Sequence, residues 1–158
     1  MDKRTLAEQL LAELGDTLTL SELKLDEATS SCILLFEGNL VLNIEFDDGS
    51  GRLLFSSYLG ELPGEGAEPL LRELMSANLY WHRTGGATLG LEEGTGGVIL
   101  SQAHEVGELD RPAFEKAVET FVNQAEKWSA RMASQELVAD GQAAPAVQAG
   151  HANPMIFG

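Results

Sequence analysis

Two glycine clusters, Thr84-Gly85-Gly86 and Gly94-Thr95-Gly96-Gly97, are where a phosphate-binding loop would be sought in this 158-residue chain. Such a loop needs a strand, a glycine-rich turn and then Lys-Ser/Thr opening a helix, so that backbone amides and the lysine converge on the phosphates. No lysine follows either cluster, and the second leads into Val98-Ile99-Leu100, so it reads as a hairpin turn. His82, His104 and His151 include no pair at metal-ligand spacing, and no cysteine joins them. They read as ordinary surface or edge histidines. Cys32 opens an apolar run without an activating neighbour, as a small buried thiol does. Ser56-Ser57 lacks the G-x-S-x-G elbow, and the pairs Asp47-Asp48 and Glu92-Glu93 stand beside turns, where solvated carboxylates belong. The expectation is a protein that is not an enzyme and uses no catalytic residue, cofactor or metal.

The totals agree with a binding role. Acidic residues number 25 against 10 basic, a net charge of −15 that repels phosphate backbones and anionic membrane surfaces. Nucleic acid is therefore not expected as a partner, and the charge suits solubility or a basic partner. The single Cys32 excludes an intrachain disulfide, which fits a reducing cytosol. Met1-Asp2-Lys3-Arg4 leads into an amphipathic segment, unlike the continuous apolar core of a signal peptide, and no run approaches the ~20 apolar residues of a membrane span. A cytoplasmic protein without membrane insertion is expected, and the length suits one domain with a real core.

The elements that must position these residues follow from periodicity. Leu6, Leu10 and Leu14, with Ala7 and Leu11 beside them, predict a helix over residues 3–14, and Gly15 stands where a C-terminal cap would. Leu40, Leu42, Ile44 and Phe46 then alternate with Val41, Asn43, Glu45 and Asp47. With turns at Gly38-Asn39 and Asp47-Asp48-Gly49-Ser50-Gly51, this predicts an antiparallel meander over residues 31–36, 40–46 and 52–59. Leu23 to Leu25 is compatible with an earlier short strand. Glu68-Pro69 suits the start of a helix that runs to about Asn78. A hairpin over residues 87–92 and 98–103 follows. Asp110 with Pro112 then opens a helix whose Phe114, Val118, Phe121, Ala125 and Trp128 form one seam. The order is α-β-β-β-α-β-β-α. From residue 135 the composition turns to Ala, Gln, Gly and Pro with little apolar bulk, so residues 135–158 are expected to be a flexible tail outside a domain of residues 1–134. Met155-Ile156-Phe157 is its apolar exception.

The meander carries apolar groups in both phases: Ile33, Leu35, Leu53 and Phe55 in one, Cys32, Leu34, Phe36, Leu54 and Tyr58 in the other. One face can pack on the last helix; the other needs helix one or a partner, since contiguous exposed apolar area marks interaction surfaces.

Ala77-Asn78-Leu79 at a helix end, Gly85-Gly86-Ala87-Thr88-Leu89-Gly90, Ile99-Leu100-Ser101-Gln102 and the Phe114, Val118, Phe121-Val122 helix occur in an order that resembles the small acidic type III secretion chaperones of the Tir chaperone (CesT-like) family. The resemblance covers roughly residues 1–130. It implies assembly of the elements into one α+β domain and a homodimer. It also implies binding of the non-globular N-terminal chaperone-binding segment of a secreted effector, kept soluble and competent for recognition by the secretion ATPase. It places the dimer contact at Leu71, Met75, Asn78, Leu79, Trp81 and Leu89, although Tyr80-Trp81-His82-Arg83 is bulkier than the family's short Phe-Gly-type connector. Joined to the two-faced meander, it gives an effector-binding set of Leu6, Leu10, Leu14, Ile33, Leu35, Leu42, Ile44, Leu53 and Phe55. The alternatives are a regulatory homologue that sequesters a cytoplasmic secretion regulator and, in a different class, a small enzyme.

Overall fold

A computed structural model describes the backbone of residues 1–139 and the side chains of residues 1–134. The tail expected over residues 135–158 lies outside the described residues from residue 140 onward, Met155-Ile156-Phe157 included. The elements are α1 (Lys3–Thr17), β1 (Ser31–Phe36), β2 (Leu40–Asp47), β3 (Arg52–Glu61), α2 (Glu68–Asn78), β4 (Thr88–Glu92), β5 (Gly97–Glu105) and α3 (Arg111–Ala139). This is the expected α+β order. The five strands form one sheet in the order β1-β2-β3-β5-β4, so β1 and β4 are its edges. The chain divides into two compact units, Met1–Ser57 with Ser101–Val122, and Tyr58–Leu100 with Asn123 onward.

In the first unit, Asp2 caps α1 by accepting the Thr5 N–H at 2.9 Å. The helix passes Gly15 and ends at Thr17, so Gly15 is not its cap. A Cβ there would lie 3.1 Å from Leu23 Cβ, and the glycine instead admits close packing of the segment that follows. Leu23 and Leu25 are buried but form no strand. The chain after them turns on Asp26, whose carboxylate accepts the Ala28 and Thr29 N–H groups at 2.8 and 3.0 Å. Between β1 and β2, Gly38 and Asn39 both take positive φ, 80° and 64°, which is why this residue pair occupies the turn.

That turn fixes the register, and the register corrects one expectation. Cys32 pairs with Ile44, Leu34 with Leu42, and Ile44 in turn with Phe55. Cross-strand partners share a face, so Leu42, Ile44 and Phe55 belong with Cys32 and Leu34 and not with Ile33 and Leu35. The inward set is completed by Leu53, Phe46 and the α1 side chains Ala7, Leu10, Leu11 and Leu14. At its centre the Phe55 ring meets Phe121 at 5.6 Å and Phe114 at 6.0 Å, both edge-on, each contact worth about 0.5–1.5 kcal/mol beyond burial. Glu105, held below the ordinary carboxylate range by hydrogen bonds from Arg52 (3.0 Å) and Lys3 (3.4 Å), ties the ends of β3 and β5 to the start of α1.

In the second unit, α2 buries Leu70, Leu74 and Ala77 and turns Met75 outward. The last turns of α3 continue the expected seam through Ala125 and Trp128 to Met132, all buried. Arg131 Nη2 and Nε bind Glu73 of α2 at 2.8 and 3.0 Å. The Arg83 carbonyl accepts from Trp128 Nε1 at 3.1 Å and Lys127 Nζ at 3.0 Å. These bonds anchor the connector after α2, where Tyr80 and Trp81 both have positive φ, 55° and 54°. Two successive bulky residues in that region cost of order 1–3 kcal/mol each, so the anchoring must hold them there.

Candidate protein-binding surfaces

The groups that could have done chemistry are accounted for by packing and turns. His104 lies against Phe55, ring centroids 4.8 Å apart, with Nε2 buried and without a hydrogen-bond partner among the described residues; burial holds its imidazole below the ordinary value of 6.5. Burial likewise pushes the Cys32 thiol up to about 11, which suppresses the thiolate. His82 is exposed beside Tyr80, and His151 lies outside the described residues. Ser57 is buried and donates to the Val41 carbonyl at 2.8 Å. Asp47 closes the β2–β3 turn by accepting from Gly49 N–H, and Glu92 closes the β4–β5 turn by accepting from Thr95 Oγ1. Asp48 pairs with Arg4. No group of three or more His, Cys, Asp or Glu that could hold a metal occurs among the described residues, and no described helix is long and apolar enough to cross a membrane.

What the surface does present is apolar side chains, in two places. In the first unit, Ile33 and Leu35 are 67% and 71% exposed on the outward face of β1, with Val41 exposed opposite Leu35. Of the residues expected to bind an effector, these two are exposed and Leu6 is half-buried; Leu10, Leu14, Leu42, Ile44, Leu53 and Phe55 are core. Core side chains of a folded protomer cannot meet a partner, so the apolar surface here is a strand edge and its outward face. In the second unit, Met75, Leu79, Tyr80, Trp81 and Leu91 are exposed. Of the expected dimer residues, Met75, Leu79 and Trp81 belong to this patch, Leu71 and Asn78 are half-buried, and Leu89 is buried. Tyr80 and Leu91 were not in the expected set; Tyr80 lies past the end of the helical stripe, at a positive φ of 55°.

The backbone at the two edges differs. Phe46 N–H bonds to the Ser30 carbonyl at 2.8 Å, which fixes the alternation of the β1–β2 ladder: Cys32, Leu34 and Phe36 exchange hydrogen bonds with β2, and Ser31, Ile33 and Leu35 direct theirs away. Asp26 N–H takes the Ser31 carbonyl at 2.8 Å, while no backbone or side-chain bond among the described residues reaches Ile33 or Leu35. At the other edge, the Asn78 side chain behaves as a strand would. Its Nδ2 donates to Leu89 O and its Oδ1 accepts Leu89 N–H, both at 2.8 Å, and Ala87 N–H goes to Thr84 O at 3.1 Å. Edge β4 is closed at Leu89, though not at Leu91, whereas among the described residues neither Ile33 nor Leu35 of edge β1 is closed in this way.

With this geometry in hand, the comparisons with known proteins are specific. The profile of the Tir chaperone protein (CesT) family matches residues 9–129, and the chain belongs to that family. It is a family of type III secretion chaperones. Among solved structures, a chain of the ExsC–ExsE complex is similar at 30% identity, with 82% of this chain and 95% of that one covered and a TM-score of 0.69. A chain of the HopA1–SchA chaperone–effector complex shares the fold at 19% identity, covering 80% and 94%, TM-score 0.67. So does a chain of the ExoU–SpcU heterodimer from the type III secretion system of Pseudomonas aeruginosa, at 18% identity, covering 79% and 93%, TM-score 0.58. No curated protein matches the sequence.

Proposed function

We propose that this chain is a type III secretion chaperone that binds the N-terminal, chaperone-binding segment of a secreted effector in the bacterial cytoplasm and keeps it soluble and secretion-competent. The observation that carries this reading is the edge of β1, where backbone groups that no described residue bonds coincide with the exposed side chains of Ile33 and Leu35. An extended segment can add there as a strand: main-chain hydrogen bonds supply affinity with little sequence demand, and alternate side chains rest on Ile33, Leu35 and Val41. Leu6 on α1 adds apolar surface to the same unit. The net charge of −15 favours a basic client and speeds encounter more than it tightens the complex. Two protomers associate through the Met75, Leu79, Tyr80 and Trp81 patch, and the chaperone presents its client to the secretion ATPase. The chaperone needs no cofactor and performs no chemistry of its own.

The test is to co-express the chain with its native proteome, purify it and identify the retained protein by mass spectrometry. A secreted protein held by its N-terminal segment, and lost from Leu35→Asp while the chaperone stays folded, is the expected result. Retention that is indifferent to Ile33 and Leu35 would refute the edge. A second reading is a regulatory homologue of the same family. Under it the retained protein is a cytoplasmic secretion regulator, and the same experiment separates the two.

A further inference from the structure

Strand β1 is also complementary to itself, and we infer that in the absence of a client two copies of this chain pair antiparallel through their β1 edges. The open window consists of Ile33 and Leu35, bounded by Ser31, whose carbonyl is taken by Asp26, and by the turn that begins at Glu37. A two-fold axis passing beside Leu34 sets Ile33 of one copy opposite Leu35 of the other, and the reverse. Both residues direct their N–H and C=O groups outward, so each cross-pair exchanges two hydrogen bonds in the closely bonded antiparallel geometry. Their side chains stand on the same face, which brings Ile33 and Leu35 of both copies into one apolar row beside Val41.

Electrostatics selects this strand for self-pairing. Every other strand of the sheet carries an acidic residue: Glu45 and Asp47 on β2, Glu61 on β3, Glu92 on β4 and Glu105 on β5. β1 reads Ser-Cys-Ile-Leu-Leu-Phe and has no charge. In a chain of net charge −15, it is the strand that two copies can bring together without opposing like charges in the ladder. An edge of this kind, uncharged and free of proline, is what sheet proteins otherwise guard. Pairing with a second copy guards it here and makes a client strand a competitor for the same hydrogen bonds. The pairing itself does not depend on the client reading; the competition rests on it.

The experiment uses the full chain without client. Sedimentation velocity over a range of concentrations is expected to show association beyond the species present at the lowest concentration. Leu35→Pro, which removes an outward N–H that β2 does not use, and Leu35→Lys, which keeps that N–H but adds charge, should both abolish the growth. Register is tested by cysteine pairs. The cross-pair Cα separation of about 5.5 Å lies within disulfide range, so an equimolar mixture of Ile33→Cys and Leu35→Cys proteins should crosslink under mild oxidation far more than either alone. Unchanged sedimentation of the wild type, growth that survives both Leu35 variants, or crosslinking no better in the mixture than in the single proteins would overturn the inference. Client capture is measured in parallel. If the wild type never self-associates but Leu35→Lys loses the client, self-pairing fails and the client edge stands.

Discussion

The two edges of the sheet solve the same problem in opposite ways. At β4 the chain spends a side chain, Asn78, to occupy the backbone groups of Leu89, and a loop carbonyl, Thr84, to occupy Ala87 N–H. At β1 the bonding among the described residues stops at Ser31, and none of them bonds the backbone of the next two outward residues, whose aliphatic side chains are exposed. An unpaired polar edge beside exposed leucine and isoleucine is an aggregation hazard unless something is meant to occupy it. The proposal that a partner strand adds at β1 rests on this difference: Asn78 closes Leu89 in the middle of β4, and no described residue does the same for Ile33 or Leu35.

The largest effect that would break this comparison is a charge placed on each side of β1. Leu35→Asp should abolish client co-purification while changing stability by no more than about 0.5 kcal/mol, as is usual for exposed positions. Leu42→Asp, on the buried face of β2, should unfold the protein because it buries an unpaired charge. Thermal melts of the two variants beside pull-downs check the contrast, and similar melts would contradict it.

Opening the closed edge sharpens the comparison next. Asn78→Ala leaves the Leu89 N–H and C=O unpaired and should cost about 1–3 kcal/mol, read from denaturant midpoints. A wild-type midpoint would mean that Asn78 does not close β4. The apolar patch of the second unit is tested by Met75→Glu and Leu79→Asp. Both should weaken dimerisation in sedimentation equilibrium without loss of client capture, and a wild-type monomer at micromolar concentration would remove the basis for that patch as an interface.

The smallest effect concerns His104. Because burial lowers its folded-state value below 6.5, the neutral ring is the form the fold accepts. Its contribution is fully present above pH 6.5 and is lost as pH falls through the lower folded-state value. Wild-type melting temperature should therefore drop more steeply below pH 6.5 than that of His104→Phe, and parallel curves would show that the ring titrates in the fold as it does in water.

Much of this was legible in the sequence where a period could be read. The seam of α3 and the order of the elements follow from apolar spacing, and the family follows from the run between Ala77 and Val122. What could not be read is what depends on a single turn or a distant partner. The face assignment of the meander hinges on the Gly38-Asn39 turn, and alternation alone left Ile33 and Leu35 grouped with Leu53 and Phe55. Gly15 looked like a helix end because its reason, the approach of Leu23, comes from a side chain eight positions later. Asn78 carried no signal as a strand mimic, since its partner Leu89 lies across a connector. Tyr80 lies past the helical stripe, at a backbone angle that its side chain disfavours, so apolar spacing does not mark it as a surface residue.

The central claim, that a partner strand adds at β1 and not at β4, is tested most directly by amide hydrogen exchange of the chaperone with and without its client, at a concentration too low for self-association. Without client, the Ile33 and Leu35 N–H groups should exchange rapidly, because no described residue bonds either of them. With the client bound they should slow by orders of magnitude, while the β4 amide of Leu91 stays as it was. Unchanged exchange at Ile33 and Leu35 in a saturated complex, or protection that appears at Leu91 instead, would contradict the account.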